Sequence, residues 1–585
     1  MRPTVIDETA HVAAPEQTFL ARHRDALRFW IPIVSTTVIV IGLRTLIPPY
    51  INWFYPHDDT ALVQTAASIL AGDWLGDWGD HAIAHMTLAK VPGYSLFLAA
   101  IQPTGLTPPV AAILLYLPGA LLLALGTRRH LGIRWAAVLY IVLAFNPVLY
   151  SADFSRVYRD QLVIALAMLM LGLTTHLAAL LFGGRRITRG TVVAITVETL
   201  ALGLAYALLL ITRNDVYWVW AATAGVLFVV LLARGRTLTV RRGAALGAIA
   251  GVVVGLAMTG PATVRAINED RYGVALTNDY SKGNLALAVR LWASVVVEES
   301  EPRALVDAGQ RAAAYEVSPT AAELGTWLET NPNWVGLACS LQPDETPCDD
   351  YVGYFTWALR DAAVANGVDS PAALQDYFGR LVDELEAACA SGELTCGARA
   401  LSPNVPAVSE IPVRTAFSNL VSYINASLIR EPVPSSSQKP TDSSTPVDLW
   451  LRTVNGSGTV MAMADSGTQA TAIEMTAVQI LLRSVYLTFL LPAAILTLAM
   501  LFRRHLWTTT TGRMALVCLA AWGMNLTIVA IFYASVNRNM AAQSPIYIQA
   551  SQSYLLAGLV LVIAVGVGRL RDWARPFTRT DDLPA

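Results

Sequence analysis

The sequence predicts a mainly α, polytopic membrane helical bundle that carries a mostly helical extracytoplasmic segment. Three observations predict it. Of 585 residues, 54% are hydrophobic and only 14% charged, with a mean hydropathy of +0.48, whereas a soluble chain carries about a quarter charged residues. The apolar residues fall in unbroken runs about twenty long, the length a helix needs to cross a hydrocarbon core of about 30 Å. Arginine is concentrated in every second connecting loop, as the positive-inside rule requires of a membrane bundle. These features exclude an ordinary cytosolic enzyme and a disordered chain. The balance of 41 basic against 43 acidic residues leaves no basic field for a nucleic acid.

Taken in order, residues 1–28 form a cytoplasmic N-terminal segment. Ten spans follow, at about 29–47, 108–126, 131–150, 161–183, 191–211, 216–233, 243–262, 484–502, 512–535 and 551–568. The first run lies well in from the terminus and has no small-residue cleavage site, so it is read as a retained span. Gly93–Ile101 is apolar but about half the spanning length, and is expected to lie in the interface or dip partly into the bilayer. The short loops and terminal segments assigned to the cytoplasmic side hold 21 of the 41 basic residues, including Arg128, Arg129, Arg185, Arg186, Arg241 and Arg242. Both termini are therefore expected in the cytoplasm of an integral plasma membrane protein. The excess of arginine over lysine, 38 to 3, points to a GC-rich bacterial genome and a cell-envelope role.

Residues 263–483 form one long outer segment with 14 basic and 27 acidic residues. It holds two close cysteine pairs, Cys339 with Cys348 and Cys389 with Cys396, expected to be local disulfides on an oxidising side. Cys518, inside a span, is expected to pack. Leu285–Val297 and Tyr351–Val364 read as helices, and 431–446 as a flexible linker. The last spans, 484–568, lead to a cytoplasmic tail at 569–585.

Charge within a membrane region is costly, about 2.5–3.5 kcal/mol per residue on insertion scales, so its clustering is informative. Directly after the first span come His57, Asp58, Asp59 and Thr60, then Gly72-Asp73-Trp74-Leu75, and then Lys90-Val91-Pro92-Gly93-Tyr94. Later outer turns add Arg156, Tyr158, Arg159 and Asp160, then Arg213-Asn214-Asp215, and finally Asn537-Arg538-Asn539. These stretches are expected to lie at one depth on one side and to converge on a shared cleft. Each also has a plainer reading. An aspartate of the 58–59 pair can cap the helix that begins near Thr60, Lys90 and Arg44 can snorkel, and so can Glu198. Arg159 and Asp160 can form a structural ion pair, and His57 beside two aspartates is weak support for a metal.

The stretch from Asp58-Asp59-Thr60 through Gly72-Asp73-Trp74-Leu75 to Lys90-Val91-Pro92-Gly93-Tyr94 resembles the first outer loop (48–107) of GT-C membrane glycosyltransferases. It is most like that of the family 39 protein O-mannosyltransferases and lipid A aminoarabinose transferases. There an acidic pair opens the loop, a helix leads to a Gly-Asp-Trp-like turn, and Lys-Pro-Pro precedes aromatic residues. Arg159-Asp160 looks like that group's Arg-Pro-Asp motif. The match covers about 28–262 in pattern, with 484–585 alike only in span layout. It departs where Asp59 replaces Glu, where Val91 replaces the first proline, and where Arg159 meets Asp160 directly. These differences bear on the substrate more than on the chemistry.

The resemblance implies an inverting glycosyltransferase that moves a sugar from a polyprenyl-phosphate donor to an extracytoplasmic acceptor. In that case Asp58 is the general base and Lys90 neutralises the donor phosphate, with Arg159 second for that task. Asp59 and Asp160 orient these groups or the sugar hydroxyls, and Tyr94, Tyr158 and Arg538 join the substrate-binding set. The chemistry explains the residue types. A hydroxyl nucleophile needs a carboxylate to take its proton, and a leaving lipid phosphate needs a fixed cation. No cofactor is expected, and no metal. The partners are the lipid donor, an extracytoplasmic acceptor and membrane lipids, with no nucleic acid. The alternatives from other classes are a flippase or transporter for lipid-linked glycans, a polymerase or ligase using diphosphate-linked oligosaccharides, and a non-catalytic receptor that presents the outer segment.

Overall fold

A computed structural model describes residues 19–47, 49, 59–78, 87–182, 188–213, 215–234, 239–298, 306–331, 333–340, 351–403, 405, 407–429, 480–482, 484–493, 495, 508–536 and 545–574. They are overwhelmingly helical, and among them there is no β-strand. Seven described helices are long and apolar enough to cross a membrane: Leu27–Thr45, Pro108–Tyr150, Asp160–Phe182, Arg189–Leu210, Val240–Tyr272, Thr510–Ser535 and Tyr547–Gly568. The chain is an integral membrane helical bundle.

Two of the ten predicted spans are joined in one run, 108–150. Gly132 breaks it, at φ 77° and ψ 166°, close to Arg128, Arg129 and Arg134. Of the others, 216–233 is the shorter helix Tyr217–Arg234. The eighth is described only in part, within Ile480–Ala493.

The helices Pro108–Ala144 (α4) and Asp160–Phe182 (α6) form the centre of the bundle. Glycine is what lets them meet. A Cβ on Gly172 would come within 2.0 Å of the Gly119 carbonyl oxygen, and one on Gly119 within 2.5 Å of the Leu169 backbone. Packing of small residues, rather than any hydrophobic drive, brings helices together in lipid. Gly93–Ile101 (α3) is a helix as predicted, but its setting differs. Tyr94 and Leu98 are fully buried in the bundle core, so the helix packs inside the protein rather than along the interface. Gly93 permits this, since a Cβ there would lie 2.5 Å from the Ile211 carbonyl oxygen, which the Gly93 N–H already bonds at 2.6 Å.

Two charges expected to snorkel do not. Arg44 is 0% exposed and donates to Ser155 Oγ at 3.0 Å. Glu198 pairs with His176 Nδ1 at 2.7 Å. Each finds a polar partner inside the bundle, which offsets part of the cost of an ionisable group near hydrocarbon, although Arg44 Nε and Nη1 make no hydrogen bond among the described residues.

Val240–Tyr272 (α9) continues ten residues beyond the predicted span and enters the outer segment without a break. Its end anchors the first outer loop. Asn268 Oδ1 accepts from Trp74 Nε1 at 2.7 Å, and the Tyr272 hydroxyl donates to the Gly76 carbonyl at 3.0 Å while accepting the Leu75 N–H at 3.1 Å. Trp74 itself sits at φ 56°, a left-handed conformation that needs such anchoring.

The outer segment has its own core, built from Gly283–Trp292, Ala308–Val317, Pro319–Leu328, Phe355–Ala365 (here α14) and Pro371–Ser391, with Trp292, Leu324, Leu359 and Phe378 fully buried. Cys389 and Cys396 form a disulfide; Cys348, and with it the second expected pair with Cys339, lies outside the described residues, as does the 431–446 linker. Glu384 ties two of these helices together. It accepts from the Ser318 hydroxyl, from the Thr320 N–H at 3.0 Å and from the Thr320 hydroxyl at 2.7 Å. Burial pushes its carboxyl up, but these bonds outweigh burial and hold it below the usual glutamate range. A carboxyl lowered on folding contributes stability above its unfolded pKa of about 4.3, and loses it as pH falls through the folded value. Glu384→Gln is therefore expected to cost about 1 kcal/mol at pH 7, with the gap to the parent closing in acid. Thermal unfolding of the full chain across pH 7 to 3 checks this.

Candidate active site

The site forms where the first outer loop, the turn before α6 and the turn after Arg189–Leu210 (α7) meet. Asp59 is 0% exposed and stands just ahead of the helix Ala61–Ala71 (α2). Its carboxylate does not cap that helix, whose N-cap is Thr60 with no side-chain bond. It receives Arg156 instead, with Nε 2.9 Å from each oxygen and Nη2 2.5 Å from Oδ1. Two-point contact of this kind fixes both partners in angle as well as distance. Arg156 also lies over the Tyr158 ring, 4.6 Å from its centroid.

Asp160 opens α6 and is 1% exposed. Its partner is not the adjacent Arg159 but Arg213, which bonds Oδ1 and holds Asp215 with its Nε and Nη2. Burial opposes charge on Arg213, yet Asp215 and Asp160 outweigh it and hold the guanidinium above its ordinary pKa. Burial likewise pushes Asp215 up, and Arg213 more than offsets this, leaving the carboxyl below its usual range. Asp160 Oδ2 is buried and accepts no hydrogen bond from any described residue. That lone pair is available to a ligand's hydroxyl. Arg159 is half-buried, with its guanidinium 5.3 Å from the Tyr158 centroid.

Tyr94 lies between the two acids. Its hydroxyl accepts from Gln161 Nε2 at 2.8 Å, and burial, followed by the Asp59 charge, pushes its phenol well up. It is therefore a neutral hydrogen-bonding group. Tyr158 meets Tyr547, hydroxyl to hydroxyl at 3.4 Å, and Arg213 lies 4.7 Å over the Tyr547 ring.

Lys90 lines a small pocket with Ala61, Thr65, Leu75, Leu88, Val91 and Ser95. Ala61 and Thr65 belong to the first two turns after Asp59, so the loop's acid end and its lysine end converge on one helix. Lys90 Nζ is 5.1 Å from the Trp357 ring centroid, a cation–π distance. The loop that carries Lys90 is clamped by the outer segment. Asp279 N–H donates to the Leu88 carbonyl at 2.9 Å, and Arg360, 2% exposed, donates to the Thr87 carbonyl at 2.7 Å and pairs with Asp279. Leu88 is held at φ 66°.

Of the residues named from sequence, Asp59, Tyr94, Tyr158, Arg159 and Asp160 share one polar network, and Lys90 faces the neighbouring pocket. Asp58 and Arg538 lie outside the described residues. Among the described residues no three His, Cys, Asp or Glu side chains gather as metal ligands do. Sequence reasoning gave no role to Arg156 and Arg213, although both stand in the turns it singled out. Trp357, Arg360 and Tyr547 gave no signal beyond their residue type.

No family model matches the chain, and neither does any curated protein. Among solved structures it is similar to that of ArnT from Cupriavidus metallidurans bound to undecaprenyl phosphate, at 15% identity and a TM-score of 0.31, covering 96% of this chain and 82% of that one. The apo structure of the same protein matches at 14% identity and a TM-score of 0.30, with the same coverage. A likeness of this size extends to no individual residue.

Proposed function

We propose that this chain is a membrane glycosyltransferase that moves a sugar from a polyprenyl-phosphate donor to an acceptor on the extracytoplasmic face of the plasma membrane, with inversion at the anomeric carbon. The observation that carries the reading is the convergence just described: the Lys90 pocket opens on the helix that Asp59 precedes, beside two buried carboxylate–guanidinium pairs. In the step itself, the acceptor oxygen attacks the anomeric carbon and its proton passes to Asp58. The bond from that carbon to the phosphate oxygen breaks, and the electron pair leaves with the lipid phosphate. Lys90, with Arg159 behind it, stabilises the charge that grows on the phosphate, and such stabilisation is strongest in a water-poor site. Asp59 and Asp160 are already held by Arg156 and Arg213, which suits them to positioning. The free oxygen of Asp160 and the hydroxyls of Tyr94 and Tyr158 orient sugar or phosphate oxygens, joined by Arg538. The arginine distribution supports an active site opposite the cytoplasmic termini.

Purified protein in nanodiscs, given a polyprenyl-phosphate sugar and cell-envelope extract, is expected to release free polyprenyl phosphate in step with glycosylated acceptor. A flippase would move the donor across the bilayer with its glycosidic bond intact. A polymerase or ligase would consume only the diphosphate-linked form.

A further inference from the structure

The outer segment places an indole beside the Lys90 pocket. Trp357, in the first turn of α14, packs on Ala61 and Ala89 and sits beneath the Lys90 ammonium. Its orientation is held by two further rings: Tyr280, tilted 34° at 4.7 Å, and Trp334, within 15° of parallel at 6.4 Å. Trp334 is itself fixed by its Nε1, which donates to Asp361 Oδ2 at 2.8 Å. Arg360, three residues along the same helix, clamps α14 to the Lys90 loop through Thr87 and Asp279. The indole and the ammonium are therefore set against each other by backbone as well as side-chain contacts.

We propose that Trp357 is the platform on which the donor's sugar ring lies, a specificity-determining residue that the outer segment contributes to the membrane site. This rests on the polyprenyl-phosphate reading above. The sugar is joined to the phosphate through a single oxygen, so a phosphate paired with Lys90 puts the ring within reach of the indole. The indole face is apolar and electron-rich. It covers the C–H face of a sugar and leaves the hydroxyls at the ring edge for Asp160 and the tyrosines. The sugar takes the face that the Lys90 ammonium now covers, the ammonium turning to the phosphate, and that face also stabilises the positive charge that develops at the anomeric carbon as the donor bond breaks.

The test measures binding of undecaprenyl phosphate and of its mannose, glucose, galactose and arabinose esters to the full chain in nanodiscs. Trp357→Ala and Trp357→Leu, the second keeping apolar bulk without a π face, are expected to weaken the preferred sugar ester about tenfold or more. Undecaprenyl phosphate itself should stay within about threefold of the parent, and Trp357→Phe should retain most of the sugar affinity. Equal weakening of both ligands, as expected if Trp357 only props Lys90, overturns the proposal, and so does no weakening of either. Failure of the parent protein to bind undecaprenyl phosphate at all overturns the transferase reading, and this inference with it.

Discussion

Asp58→Asn is expected to lower sugar transfer by about 10²–10⁴-fold while leaving donor affinity nearly unchanged. Asparagine keeps the size and hydrogen-bonding reach of the side chain but has no basic oxygen for the acceptor's proton. The barrier therefore rises in the chemical step alone, which reads out as a fall in kcat at constant KM for the lipid. Two comparisons give the result its meaning. Lys90→Met removes the cation facing the phosphate, so its loss should fall on donor binding as well as turnover. Asp59→Asn removes a charge that Arg156 already occupies, so its effect should follow protein stability rather than proton transfer. Steady-state kinetics on all three variants, with thermal unfolding as control, separate the roles. An Asp58→Asn protein that keeps half its activity has its base elsewhere.

The spans were legible because a bilayer imposes a length rule that few other environments do, and runs such as 161–183 and 512–535 obey it almost residue for residue. The rule is silent on packing. Nothing in the hydropathy of Gly93–Ile101 distinguishes a helix lying at the interface from one buried under Ile211, since both are short and apolar. The same holds for the site. Asp59, Lys90 and Asp160 stood out because a charge near hydrocarbon has to be explained. Their partners did not, because pairing is tertiary. Arg159 closes the turn and Asp160 opens α6, so adjacency in sequence does not aim the two side chains at each other. Asp160 therefore turns inward to Arg213 from another turn, while Arg159 stays beside Tyr158. Trp357 and Arg360 lie far along the chain, in a segment that composition describes only as acidic and helical. Only the fold brings them to the Lys90 loop.

Arg156→Ala is expected to destabilise the folded chain by about 3–5 kcal/mol, because it takes the two-point guanidinium partner from a carboxylate whose side chain has no exposure. That loss would mostly measure a stranded carboxylate rather than the worth of the pair, so the single variant alone says little about function. The double variant Asp59→Asn with Arg156→Gln removes both charges and keeps hydrogen-bonding groups in place. It should recover most of the stability, since neutralising a buried pair together is often close to neutral. Thermal unfolding of the parent, both single variants and the double gives the coupling directly. If the double variant folds but transfers sugar poorly, the pair serves to aim the acidic loop and the tyrosines at the substrate. If it folds and transfers normally, the Asp59–Arg156 pair is scaffold, and the chemistry rests on Asp58 and Lys90 alone.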